Sequence, residues 1–296
     1  MTELTREQWL EERKNHLGAT DCVRILTGRG LEVYASKTVG DVTRDERWLR
    51  YGRAMEAPVA EMYADESGRE VVDLGATTFQ RHPEIPWLAA TLDRQTFDTE
   101  LDGPGACEIK NTDVPGLRPE NWSERNPELL NFIIQNQMQM ACTQWDWGTV
   151  VGKFPYYSVA WFDLKRDERF FDAALPVLED FWTRVQNREP PPPAAGRDLE
   201  VVKRLYPRTS DIHTMVLKPE HMEVALQWDE AKKACKEWGE RKKKCEAQLR
   251  AVIRDAEYGA LPDGTFLSLK TTAKKGGTRV VESGEYRVLR RCKTQR

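Results

Sequence analysis

Gly105-Ala106-Cys107-Glu108-Ile109-Lys110-Asn111 is the stretch on which the fold turns. Asp102-Gly103-Pro104-Gly105 supplies turn chemistry just before it, and Trp87-Leu88-Ala89-Ala90-Thr91-Leu92-Asp93 precedes that turn. Read as a β-strand, the stretch sends Glu108 and Lys110 to one face and Ile109 to the other, because side chains alternate along a strand. An acid beside an ammonium, with Asp93 on the neighbouring strand, can hold a hard divalent cation or a water poised against a phosphate. The same residues can equally form an ordinary surface ion pair.

Working outward, the spacing predicts a short helix over 7–14, then a turn at Leu17-Gly18-Ala19-Thr20-Asp21 that caps a second helix through Thr20. With Arg13 nearby, that helix start is either a phosphate cradle or a plain cap. Trp48, Tyr51, Met55, Val59, Met62 and Tyr63 recur at helical spacing over 45–64, with Glu56 beside them and a kink or helix start expected at Pro58. Strands are expected at 71–79, 87–92 and 106–111. A helix follows at 127–143, strands at 147–151 and 156–164, and an amphipathic helix at 167–187. Gln135 and Gln137 stand in an amide-rich turn of the middle helix. They face solvent, as helical amides usually do, or orient a phosphate or a water. This order predicts an α/β fold with a mixed central sheet flanked by helices.

Glu189-Pro190-Pro191-Pro192-Pro193-Ala194-Ala195-Gly196 reads as a stiff linker. The expected organisation is a domain over 1–189, a linker over 190–197 and an extension over 198–296. Within the extension, 220–257 reads as one long charged helix. Trp228, Ala231, Cys235, Trp238, Cys245, Leu249, Val252 and Ala256 form its heptad stripe, which Lys242 interrupts. A β-hairpin is expected from 265–271 and 278–291. Nine Lys/Arg against two acids over 264–296 offer either phosphate contacts or a solvated tail.

Composition narrows the classes. The chain has 296 residues, 31% of them charged, with a net charge of −3, so DNA binding would need a local basic channel rather than a basic coat. No run is apolar enough to span a membrane, and the opening residues lack a signal-peptide core. The six cysteines form no CxxC pair, so free thiols in a reducing cytoplasm are expected, not a zinc or disulfide framework.

The order of these motifs resembles the YqaJ-type viral recombinase family of lambda-exonuclease-like, PD-(D/E)XK nucleases. The resemblance runs from Trp9 and Arg13 through Leu17–Asp21, Tyr51-Gly52-Arg53-Ala54-Met55-Glu56-Ala57-Pro58, His82-Pro83 and Leu88–Asp93. It continues through Glu108-Ile109-Lys110, Gln135-Asn136-Gln137 and Phe181-Trp182. It implies a PD-(D/E)XK core with the C-terminal helix and hairpin as an appendage. Asp93, Glu108 and the Ile109 carbonyl would be Mg²⁺ ligands, with Mn²⁺ a substitute, and Glu56 would sit beside the metal. Lys110 would position or deprotonate the attacking water, Gln135 would touch the site, and Gln137 less directly so. Arg13 and Thr20 would hold the 5′-phosphate of a DNA end. The implied activity is 5′→3′ digestion of linear duplex DNA, leaving 3′ single strands for recombination. The implied partners are double-stranded DNA ends, a single-strand annealing protein and further copies of the chain in a ring, commonly a trimer. The implied setting is the bacterial cytoplasm, in a phage or prophage. This sequence departs from the family pattern at Arg94, where a glycine commonly follows the aspartate. An endonuclease of the same fold and a catalytically inactive DNA-binding scaffold are the competing readings.

Overall fold

In a computed structural model the central strand is β5 (Pro104–Asn111), which holds the quoted stretch. The structure describes residues 5–40, 47–75, 77–112, 116–155, 158–208 and 214–271, apart from the side chains of Arg6 and Trp48. Before β5 come α1 (Arg6–Glu12), α2 (Ala19–Leu26), α3 (Gly30–Val39) and α4 (Arg47–Ser67). Strands β1 (Glu70–Val72), β2 (Gln80–Arg81), β3 (Ala89–Ala90) and β4 (Arg94–Phe97) follow. After β5 come α5 (Leu130–Thr143), β6 (Trp147–Phe154), β7 (Ser158–Lys165), α6 (Glu168–Asn187) and α7 (Asp198–Leu205).

The main sheet has the order β1-β4-β5-β6-β7. Only β5 and β6 run parallel, and the helix between them, α5, is the crossover that a parallel pair requires. The sheet is therefore mixed and flanked by helices, as expected.

Alternation along the strands separates two apolar layers. Cys107, Ile109, Val151 and Val159 face α4 through Val59, Ala60 and Tyr63. Ala106, Val150, Phe154 and Leu164 belong to the larger layer with α2, α5 and α6, including Cys22, Met138, Leu178 and Phe181. Arg69 ties the α4 layer to the sheet edges: its guanidinium donates to Asp98, to both oxygens of Asp163 at 2.8 Å and to the Tyr63 hydroxyl at 2.8 Å.

Several expectations are corrected. The apolar run 87–92 is buried but forms only the two-residue pair of β3 with β2. The strand that pairs with β5 begins after Asp93, at Arg94. The run is instead held from its other side by Leu17, whose N–H donates to Trp87 O (2.7 Å) and whose carbonyl accepts from Ala89 N–H (3.0 Å). Helix α4 runs through Pro58, so no helix starts there. Helix α3 was not foreseen. Helix α2 is capped by Gly18, not Thr20: Asp21 reaches back to accept from the Gly18 N–H at 3.1 Å.

The chain divides into two units, 1–207 and 208–296, so the first continues past the proline stretch and includes α7. In the second, α8 (Glu220–Ile253) is unbroken at Gly239, and β8 (Tyr258–Ala260) pairs with β9 (Phe266–Ser268) around Leu261–Gly264. The expected hairpin strand 278–291, and the basic tail beyond Lys270, lie outside the described residues. Among the described residues no helix is long and apolar enough to cross a membrane.

Candidate active site

Glu108 lies in mid-sheet, on the face of β5 that α5 covers, and is only 1% exposed. A buried carboxylate needs donors, and α5 supplies them. Gln135 donates to Oε1 at 2.6 Å, and Gln139, one turn on, donates to Oε2. Lys110, two residues along the strand, donates to Oε1 and lies 3.3 Å from Gln135 Oε1. The amide chain extends inward: Asn136 donates to Gln139 Oε1 (3.1 Å) and to the Ala106 carbonyl (2.9 Å). Gly148 makes room for it, since a Cβ there would stand 2.3 Å from Asn136 Oδ1.

Asp93 enters from the neighbouring strand. The β4–β5 ladder ends at Arg94–Cys107, so Asp93 falls opposite Glu108, one step beyond the last pair. There its Oδ2 accepts from the Ile109 N–H at 2.8 Å, in place of a ladder bond. The N–H and C=O of one strand residue point to the same side, so the Ile109 carbonyl also faces Asp93. Arg94 needs no glycine: it takes strand conformation, and its guanidinium donates back to the Asp93 carbonyl and lies 3.4 Å from Asp73. Glu56 comes from α4, half-buried, near enough to Glu108, Lys110 and Arg94 for their charges to act on it.

Electrostatics here are unbalanced. Burial, then Glu108 and Glu56, push the Asp93 carboxyl well above its ordinary range, against the pull of Lys110 and the Ile109 N–H. Burial, with Glu108 assisting, also raises Glu56. Burial works against the charge of Lys110, yet Glu108, Asp93 and Glu56 hold its ammonium above the ordinary lysine value. Three carboxyl groups thus face Lys110, with Arg94 and Arg53 acting on Glu56 besides. Binding a cation would relieve that excess as well as protonation does. The donors are hard oxygens, from Asp93, Glu108 and the Ile109 carbonyl, and this is the chemistry Mg²⁺ requires. Among the described residues no three His, Cys, Asp or Glu side chains form a group that could hold a metal ion, so the protein's share of a shell here would be two carboxylates and a carbonyl. That is compatible with an ion that keeps waters and substrate oxygens in its shell.

The structure therefore brings Glu56, Asp93, Glu108, Ile109, Lys110 and Gln135 together. It does not bring Gln137 there: this side chain donates to Lys165 O (2.8 Å) and accepts from Asp167 N–H (2.9 Å), fastening the β7–α6 junction. Thr20 sits at the start of α2, and Arg13 in the 3-10 turn that follows α1. Arg13 stacks on Trp9 (4.9 Å to the ring centre) and lies 3.7 Å from Asp21, while Thr20 is exposed in the first turn. Buried Lys37 braces this corner, donating to Asp21 Oδ2 (2.7 Å) and to the Arg13 carbonyl (2.5 Å). Against its burial, Lys37 and Arg13 hold Asp21 below the usual carboxylate range. Gln139 belongs to the same amide-rich run but was not among the expected site residues, although it shares a helix face with Gln135 at i, i+4.

The chain is similar to several known proteins. The family model for the YqaJ-like viral recombinase domain matches residues 8–146. The uncharacterized protein YqaJ of Bacillus subtilis (strain 168) is 25% identical over 278 residues, covering 87% of this chain and 81% of that protein. A solved structure of LHK-Exo in complex with dAMP aligns at 20% identity over 67% of this chain and 97% of its own, with a TM-score of 0.49. The alkaline exonuclease LHK-Exo from Laribacter hongkongensis aligns at 20% identity over 62% and 94%, with a TM-score of 0.48. Residues 8–146, the stretch that the YqaJ-like viral recombinase domain model matches, hold every member of the acidic centre.

Proposed function

We propose that this protein is a Mg²⁺-dependent deoxyribonuclease that digests the 5′-ended strand of linear duplex DNA in the 5′→3′ direction. The observation that carries the reading is the placing of Asp93 opposite Glu108, with Lys110 and Glu56 at the same spot. Asp93, Glu108 and the Ile109 carbonyl would hold the metal, with Mn²⁺ a substitute; when bound, it would acidify a water and neutralise the scissile phosphate. Lys110, kept as an ammonium by its acidic neighbours, is suited to hold a phosphate oxygen or orient the water as a point charge. Gln135 and Gln139 fix the Glu108 carboxylate so that both oxygens keep one orientation. Glu56, with its raised affinity for a proton, can take one from a water on the α4 side or give one back.

The direction of digestion rests on Arg13, Thr20 and the first turn of α2, which suit a terminal phosphate. The parallel bridge Leu17–Leu88 carries the chain toward α2 and the chain toward Asp93 in the same direction. A ring of copies that threads DNA, and a single-strand annealing partner in a bacterial cytoplasm, belong to the same proposal but are not needed for the chemistry.

Duplexes labelled at either end, with and without a 5′-phosphate, test the reading. Mg²⁺-dependent release of 5′ nucleotides, faster with the phosphate, is expected. Digestion from 3′ ends would overturn the direction, and cutting of closed circles would favour an endonuclease. No cleavage with Mg²⁺ or Mn²⁺ would leave a DNA-binding scaffold.

A further inference from the structure

The 34 residues of α8 contain two tryptophans and several aliphatic side chains, yet none of them is buried. Trp238 is 63% exposed and Val252 80%. Val224, Trp228, Ala231, Cys235, Trp238, Lys242, Cys245, Leu249 and Val252 share one stripe, alternating steps of three and four, while Met222 and Leu226 are exposed beside it. That is the seam of a two-stranded coiled coil.

The seam is uneven, and the unevenness is symmetric. About a midpoint between Lys236 and Glu237, Trp228 mirrors Cys245, Ala231 mirrors Lys242, Cys235 mirrors Trp238, and Val224 mirrors Leu249. Two antiparallel copies would set each tryptophan against a cysteine, so that large and small side chains interlock. Two parallel copies would stack tryptophan on tryptophan and leave gaps at the alanine layer. They would also oppose Lys242 to Lys242, like charges at a core position.

Charge along the helix makes the same choice. Residues 220–230 carry Glu220, Glu223, Asp229 and Glu230 and no Lys or Arg, whereas 241–250 carry Arg241, Lys242, Lys243, Lys244 and Arg250 against Glu246. Antiparallel pairing lays the acidic end of one copy on the basic half of the other, and also opposes the two helix dipoles. Parallel pairing would lay acid on acid and base on base.

We infer that α8 is a self-association surface, whose occupant is α8 of a second copy of this chain, antiparallel and centred between Lys236 and Glu237. This is a two-fold contact in which the same face meets itself. It is independent of the nuclease reading.

Cysteine crosslinking of the full chain tests it. In Trp228→Cys the new thiol faces the native Cys245 of the other copy. Within one helix those positions are 17 residues and about 25 Å apart, so a 228–245 disulfide forms only between chains. Mild oxidation, then peptide mapping, is expected to give that link as the main crosslink, and at least tenfold less of it in 1 M salt. A second variant keeps both tryptophans: Ala231→Cys with Lys242→Cys, in a Cys235→Ser, Cys245→Ser background, should give a 231–242 link between chains. A dominant 245–245 link would mean parallel pairing and overturn the proposal. Absence of any link between chains in both variants, with helix content retained, would overturn it too.

Discussion

Helices α5 and α8 reverse the usual bond between polarity and burial. In α5 the amides Asn136, Gln137 and Gln139 are buried, while α8 leaves Trp238 and Val252 in solvent. The difference is one of partners. Each α5 amide meets a named acceptor or donor: Glu108, the Ala106 carbonyl, or the β7–α6 junction. A buried amide whose groups are bonded costs little and fixes its neighbours; of the three, Asn136 alone keeps an unpaired buried atom, its Oδ1. The apolar residues of α8 have no such surroundings, so their stripe marks a surface and not a core.

The largest expected effect presses on the α5 side. Gly148→Ala puts a methyl group 2.3 Å from Asn136 Oδ1 and 2.8 Å from the Ala106 carbonyl. The rigid backbone atom cannot move aside, and a loss of about 2–4 kcal/mol is expected in denaturant unfolding. Gln139→Ala removes one of Glu108's buried donors. About 1–3 kcal/mol of stability should go with it, and nuclease activity should fall about 10–100-fold, as when a ligand loses its support. An unchanged rate would mean that the amides serve packing alone.

A pH experiment separates the acidic centre from the rest of the core. The Asp93 carboxyl is raised in the folded state by burial and by Glu108. The folded protein therefore holds more protons than the unfolded chain, from the ordinary carboxylate range up to the raised value, and stability falls as pH rises through that window. Asp93→Asn removes this loss. Its melting temperature should exceed that of the wild type at pH 8, converge with it near pH 4, and accompany loss of activity. A lower melting temperature at pH 8 would contradict the charge imbalance. The smallest effect belongs to α8: Trp238→Ala should leave the unfolding of the first unit within about 0.5 kcal/mol, because this ring is exposed.

The sequence reading reached the centre of the fold because β5 keeps its alternation and its Glu-x-Lys pair. It misplaced the strand beside Asp93. The apolar run 87–92 looked like a strand because it is buried, but its burial comes from Leu17 and the helices. Arg94-Gln95-Thr96-Phe97, half polar, carries the actual ladder. Pairing at that point is decided by β5, not by local hydrophobicity. Gln139 was overlooked for a related reason: a helical amide looks solvated until its acceptor is known, and Glu108 is 31 residues away. The bracing of Arg13 by Lys37 was equally out of reach, since it depends on α3. The heptad of α8 could be read directly, being local.

The most direct test of the nuclease centre compares wild type with Lys110→Ala on a 5′-phosphorylated duplex in Mg²⁺. Lys110 touches Glu108 and Gln135 but stands at the edge of the buried set, so the variant should fold. A fall of about 10²–10³-fold in the release of 5′ nucleotides is predicted, with DNA binding little changed and stability lowered, since the buried carboxylates lose their ammonium. Equal rates for the two proteins would contradict the assignment of this centre to phosphodiester cleavage.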